Sequence, residues 1–132
     1  MPDLLKPELY TVPADGLPAL RGGRCTCGHV FFPMQTYGCE ACGATGDALM
    51  PTLLAGKGRL VASARVMLHA RKDREPPFTV VTVRLDDGPV LRTLLDGNPD
   101  APLPVGQPLR ATLAEVTGPN GPALDLRFTP QS

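Results

Sequence analysis

All four cysteines of the chain fall between positions 25 and 42, as Cys25-Thr26-Cys27-Gly28-His29 and Cys39-Glu40-Ala41-Cys42-Gly43. That clustering constrains the fold more than any other feature. Two thiolates separated by two residues point into one tetrahedral site, and a following glycine takes the tight backbone of the turn. Cys39 and Cys42 have that spacing, whereas Cys25 and Cys27 are one residue closer. With Val30-Phe31-Phe32 as an apolar strand between two small hairpins, the segment reads as a zinc ribbon. Cys25, Cys27, Cys39 and Cys42 are its expected ligands, and the metal is expected to be structural. So short a segment has no core of its own, and a metal staple contributes folding energy directly. Four protein ligands leave no open position for water, which argues against a catalytic zinc. The shortened first knuckle keeps three alternatives open: His29 in place of one sulfur, weak metal binding, or a redox thiol pair.

The rest of the chain bounds the class of protein. At 132 residues it suits one domain or two very small modules. Lys plus Arg equals Asp plus Glu at 13 each, without the basic excess of a dedicated nucleic-acid binder. No run approaches the roughly 20 apolar residues of a membrane helix. Met1 to Tyr10 carries Asp3, Lys6 and Glu8 and lacks an apolar signal-peptide core. A cytoplasmic location is expected, where four cysteines favour metal over disulfides.

Sixteen prolines and fourteen glycines cut the chain into short elements. Residues 1–22 hold Pro2, Pro7, Pro13 and Pro18, too many for one helix, so short helical turns or an extended arm is expected. The ribbon follows over 23–50. From Gly56 the pattern changes to alternation: Leu60, Ala62, Ala64, Val66 and Leu68 face one way, Arg59, Ser63 and Arg65 the other. Further strands are expected over Val80–Leu85, Val90–Leu95 and Pro108–Val116, and through Leu124, Leu126 and Phe128. Asp87-Gly88 and Asn120-Gly121 mark tight turns. Five antiparallel strands with a long connection between the third and fourth fit an OB-type barrel over 51–132. An open meander or a small sandwich is the alternative. The expected class is therefore mainly β: an N-terminal arm with short helical turns, a small zinc ribbon, then a five-stranded OB-type barrel.

In order and spacing these features resemble the DUF35 family, a rubredoxin-like zinc ribbon followed by an OB-fold and associated with acyl-CoA enzymes. The resemblance rests on Leu20-Arg21-Gly22-Gly23-Arg24-Cys25, the step Phe32-Pro33, the knuckle Cys39 to Gly43, Gly56-Lys57-Gly58, His69, and Pro76-Pro77-Phe78-Thr79-Val80-Val81. The first knuckle departs from the family pattern. The resemblance implies a non-catalytic scaffold beside a thiolase-like enzyme, either an acetoacetyl-CoA thiolase or an aldolase that cleaves steroid side-chain acyl-CoA thioesters. There it would complete or shield the CoA tunnel, in a hetero-oligomer of two plus two subunits.

Other candidate sites are sparse. His69, Arg71 and Lys72, with Arg74, sit in one loop at the mouth of the expected barrel, where cations would meet the phosphates of a coenzyme A thioester shared with the partner. Asp73 and Glu75 balance them, so a solvated loop is the plainer alternative. Arg21 and Arg24 beside the ribbon have the same two readings. Asp86-Asp87 opens a turn, the ordinary role of Asp there. With two histidines and four cysteines committed to metal, no independent active site is expected. Single-stranded nucleic-acid binding is the competing function, but a stacking platform needs aromatics, and the expected barrel has Phe78 and Phe128 alone.

Overall fold

The computed structural model describes residues 3–13, 17–67, 78–97 and 103–131. Ten strands account for most of it: β1 (Asp3–Leu4), β2 (Tyr10–Thr11), β3 (Ala19–Cys25), β4 (Val30–Phe31), β5 (Leu49–Ala55), β6 (Lys57–Val66), β7 (Phe78–Leu85), β8 (Val90–Leu94), β9 (Pro108–Gly118) and β10 (Gly121–Pro130). Among the described residues the only helical element is a 3-10 turn, Gly46–Ala48. Among the described residues no helix is long and apolar enough to cross a membrane.

β6 to β10 build the barrel. The main sheet runs β1-β10-β9-β6-β7-β8. It closes where Leu95 bridges in parallel to Phe128 and the Asp96 amide donates to the Phe128 carbonyl at 2.8 Å. Numbered from β6, the closed order is first-second-third-fifth-fourth, the OB arrangement. β6 serves two neighbours, pairing with β9 over Lys57–Arg59 and with β7 over Gly58–Val66. A register shift between Leu60 and Ala62 marks the bulge that bends the strand between them. Both expected turns are present: Leu85 pairs with Pro89 and Gly88 around the first, and Gly118 faces Gly121 across the second. Gly88 and Gly121 have φ of 118° and 109°, a region that glycine enters without cost.

β3 lies at the centre of a second sheet, with β5 along one side and β2 and β4 along the other. β3 runs across the expected arm–ribbon boundary at residue 22. β5 likewise crosses the expected ribbon–barrel boundary at residue 50 and continues into β6 through Gly56 alone. There is no room at that joint for a side chain: a Cβ on Gly56 would collide with the Pro18 carbonyl oxygen and lie 2.6 Å from Ala111 Cβ.

One core serves the barrel and the root of the ribbon. Leu60, Val81, Val83, Leu85, Leu109 and Phe128 are buried in it together with Tyr10, Leu20 and Leu54 from the second sheet. Each large apolar side chain so buried contributes about 1.5–3 kcal/mol. Among the described residues the arm takes the extended alternative, with a single turn in which the Leu9 amide donates to the Lys6 carbonyl at 2.9 Å. β1 adds to β10 in parallel, and β2 pairs with β3. Tyr10 locks the arm down: its hydroxyl donates to the Leu124 carbonyl at 2.8 Å and accepts from the Lys6 amide at 3.1 Å.

Candidate metal centre

The four cysteines come together at the far end of β3. Cys25 ends that strand, Cys27 follows in the turn to β4, and Cys39 and Cys42 lie on the second knuckle. Each offers one sulfur, and the four sulfurs lie within 4.8 Å of one another. Cys25 Sγ and Cys42 Sγ are 3.5 Å apart, Cys27 Sγ and Cys39 Sγ 3.8 Å. A tetrahedron of four thiolates around zinc, with bonds of about 2.3 Å, has edges of about 3.8 Å. The arrangement fits a four-thiolate metal centre, and His29 is not among the four ligand atoms. Its ring stacks on Phe31 instead, with centroids 6.3 Å apart.

The missing residue of the first knuckle is absorbed in its turn. In the second knuckle the Gly43 amide reaches back four residues to the Cys39 carbonyl, and the Cys39 amide donates to Ala44. In the first, the Gly28 amide reaches back only three residues to the Cys25 carbonyl, and the Cys25 amide donates to His29. The loop is thus tightened by one residue while its hydrogen-bonding plan is kept. In each case the glycine after the second cysteine has positive φ, 99° at Gly28 and 79° at Gly43.

The sulfurs are not equivalent. Cys25 and Cys39 are buried, with Phe31 and Leu49 around them and Met34 and Ala44 against the cluster. Cys27 and Cys42 are exposed. The Cys27 amide, directed at Cys25, is the main cause that lowers the Cys25 thiol to about 7. The Cys42 amide likewise holds the Cys39 thiol below its ordinary value, with help from the Ala41 amide, which donates to its sulfur at 3.4 Å. At Cys42 the Ala44 amide lowers the thiol, but the crowding of Cys25 and Cys27 outweighs it and pushes it up to about 12. Four sulfurs this close resist ionising together, and a divalent cation between them removes that resistance.

The other expected site residues stand apart from this centre. His69, Arg71 and Lys72 lie outside the described residues. Arg21 and Arg24 are exposed on β3, and Arg21 Nε donates to the Pro7 carbonyl at 2.9 Å, which ties the arm down. Asp87 has a structural role in addition to its turn, because its carboxylate accepts the Ala55 amide at 3.0 Å. An open cleft of about 530 Å³ separates the ribbon from the β7–β8 turn, with His29, Phe32, Glu40, Asp87 and Val90 among its walls. Sequence reading missed this cleft, because no local pattern joins residue 29 to residue 87.

A four-thiol ribbon rooted in an OB barrel defines the class, and comparison with known proteins agrees. Residues 52–114 match the family model of the ChsH2 C-terminal OB-fold domain. Among solved structures the chain is similar to an Ltp2-ChsH2(DUF35) aldolase. That similarity has a TM-score of 0.67 and 24% identity, covering 85% of this chain and 84% of that one. It is also similar to a DUF35-family protein of unknown function from Sulfolobus solfataricus, with a TM-score of 0.54 and 17% identity over 86% of this chain and 76% of the other. No curated protein sequence matches. The family match thus falls on the barrel, and the solved structures agree with the chain in fold.

Proposed function

We propose that the chain is a non-catalytic accessory subunit, working in the cytoplasm, that docks on a thiolase-like acyl-CoA enzyme and supports its activity. The observation that carries this reading is the match of residues 52–114 to the OB-fold domain of ChsH2. The likeness of fold to an Ltp2-ChsH2(DUF35) aldolase, which covers 85% of the chain, supports a partner of the thiolase or aldolase kind. In the assembly, two copies of the chain flank a partner dimer. The metal is zinc in a structural role, for which the all-sulfur donor set and the four-fold coordination speak. The loop of His69, Arg71 and Lys72 meets the phosphates of a coenzyme A thioester held by the partner.

Around the ribbon the chain exposes large apolar side chains, Tyr37, Met50 and Leu53 at 83%, 59% and 52%. A partner surface would remove these from water. The test is purification of the tagged chain from its own host, with mass spectrometry of what accompanies it. A stoichiometric thiolase-like enzyme whose thioester turnover drops when the chain is omitted is the expected result. Recovery of the chain alone, or with nucleic acid, would refute the docking function.

A further inference from the structure

The neutral net charge of the chain conceals a one-sided barrel. Strand register places Lys57 of β6 opposite Arg110 of β9, and Arg59 of β6 opposite Arg84 of β7. Arg92 of β8 lies opposite Thr82, two residues from Arg84. Residues directly opposed across a sheet share a face, as do residues two apart along a strand. The five cations therefore form one patch across four strands. It is the outer face, because their chain neighbours point inward: Leu60 beside Arg59, Val83 and Leu85 beside Arg84, Leu109 and Ala111 beside Arg110 are all buried.

Among the described residues no carboxylate pairs with any of the five. An ion pair of Arg127 with Asp125 at 3.6 Å lies on β10. Asp86 and Asp87 occupy the turn beyond Arg84, and Asp87 is engaged by the Ala55 amide. Like charges directly opposed across a sheet destabilise it. This fold sets two such oppositions side by side, with Asp86, whose amide donates to the Lys57 carbonyl at 3.0 Å, as an acid at their edge against five cations.

We propose that this outer face of β9-β6-β7-β8 is a second surface through which the chain docks, beside the apolar one at the ribbon, against an acidic patch of its enzyme partner. The inference rests on the docking function proposed above. The side chains themselves favour a protein occupant. Four of the five cations are arginines, whose planar fork pairs with carboxylates in bidentate fashion. Thr82, Val90 and Pro108 lie among them on the same face, with no aromatic ring on which a base would stack. Nothing encloses a small phosphate ligand either, since neither the ribbon–barrel cleft nor those beside β3 and β5 are lined by these cations.

The test reverses three exposed charges in the full chain, Lys57→Glu with Arg84→Glu and Arg92→Glu, against Lys6→Glu, exposed on the arm, as a control. Binding to the thiolase-like enzyme recovered with the wild-type chain is followed by biolayer interferometry. The triple variant is expected to bind about ten-fold more weakly or worse, with the control unchanged. Wild-type association should slow steeply between ~0.1 M and ~1 M salt, as the Debye length falls from about 10 to about 3 Å. Should the reversal fail to fold, the same three positions changed to Gln give a smaller loss in the same direction. A folded variant with wild-type affinity and salt dependence overturns the inference while leaving the docking function intact. If the wild-type chain recovers no such enzyme, both fall. If the variant instead loses binding to a single-stranded oligonucleotide that the wild type holds, the face is a nucleic-acid surface and the inference is wrong.

Discussion

Replacing Cys39 by serine separates a metal centre from a cluster of thiols that happen to be close. The four sulfurs meet within 4.8 Å, and each is expected to carry a comparable share of metal affinity. Structural zinc binds such sites with an apparent 10–16 kcal/mol, so one ligand of four is worth about 2.5–4 kcal/mol. At about 1.4 kcal/mol per decade, Cys39→Ser should weaken zinc binding roughly a hundred- to a thousand-fold. Cys39 is also 5% exposed beside Phe31 and Leu49, where a hydroxyl left without a partner costs a further ~1–3 kcal/mol. Exposed Cys42 escapes that second cost, so Cys42→Ser should lose a similar share of metal affinity and less folding stability. Competition against a chromophoric chelator reads the affinity, and limited proteolysis between Cys25 and Leu49 reads the local unfolding. A Cys39→Ser chain that keeps one zinc at wild-type affinity would show that the four-sulfur geometry is not a metal site.

Two further substitutions test how the parts are joined. Tyr10→Phe removes the hydroxyl that links the Lys6 amide to the Leu124 carbonyl, and should cost about 1 kcal/mol. Hydrogen exchange should rise in residues 3–11 while β6 and β7 stay protected; a uniform rise would refute a local role for the arm. Gly58→Ala places a Cβ against the Arg84 carbonyl oxygen and 2.8 Å from Val83 Cγ1, so urea denaturation should show a loss of about 1–3 kcal/mol. An unchanged midpoint would mean that β6 and β7 are not packed as closely as the structure has them.

The barrel was legible in the sequence because its strands are long and half-buried. Alternation around Leu60, Val81 and Val83, and Leu126 and Phe128, carries a period of two that no helix shares. Asp87-Gly88 and Asn120-Gly121 fixed two of the connections. The gathering of the four cysteines was legible for a different reason: thiols paired at short spacing have few other uses in a chain of this kind. The arm was not legible, because β1 and β2 have two residues each and exist only where β10 and β3 receive them. β3 was hidden too, since Gly22 and Gly23 leave it no alternating side chains. Its glycines admit Leu54 and Phe31, which lie where side chains would stand. The turn that absorbs the short knuckle, and the cations gathered by register from four strands, are properties of pairing. Neither leaves a mark along a single strand.

The continuity of β5 with β6 through Gly56 has a consequence for how such a chain evolves. With Leu20 and Leu54 inside the barrel core, the root of the ribbon cannot be exchanged without redesigning the barrel, whereas the knuckles beyond Cys25 pack in a small cluster of their own. An insertion, a deletion or a lost ligand at the tip is therefore an experiment selection can run cheaply. The close spacing of Cys25 and Cys27 lies at that tip, while the frame beneath it keeps β3 paired with β5 from Ala19 to Cys25.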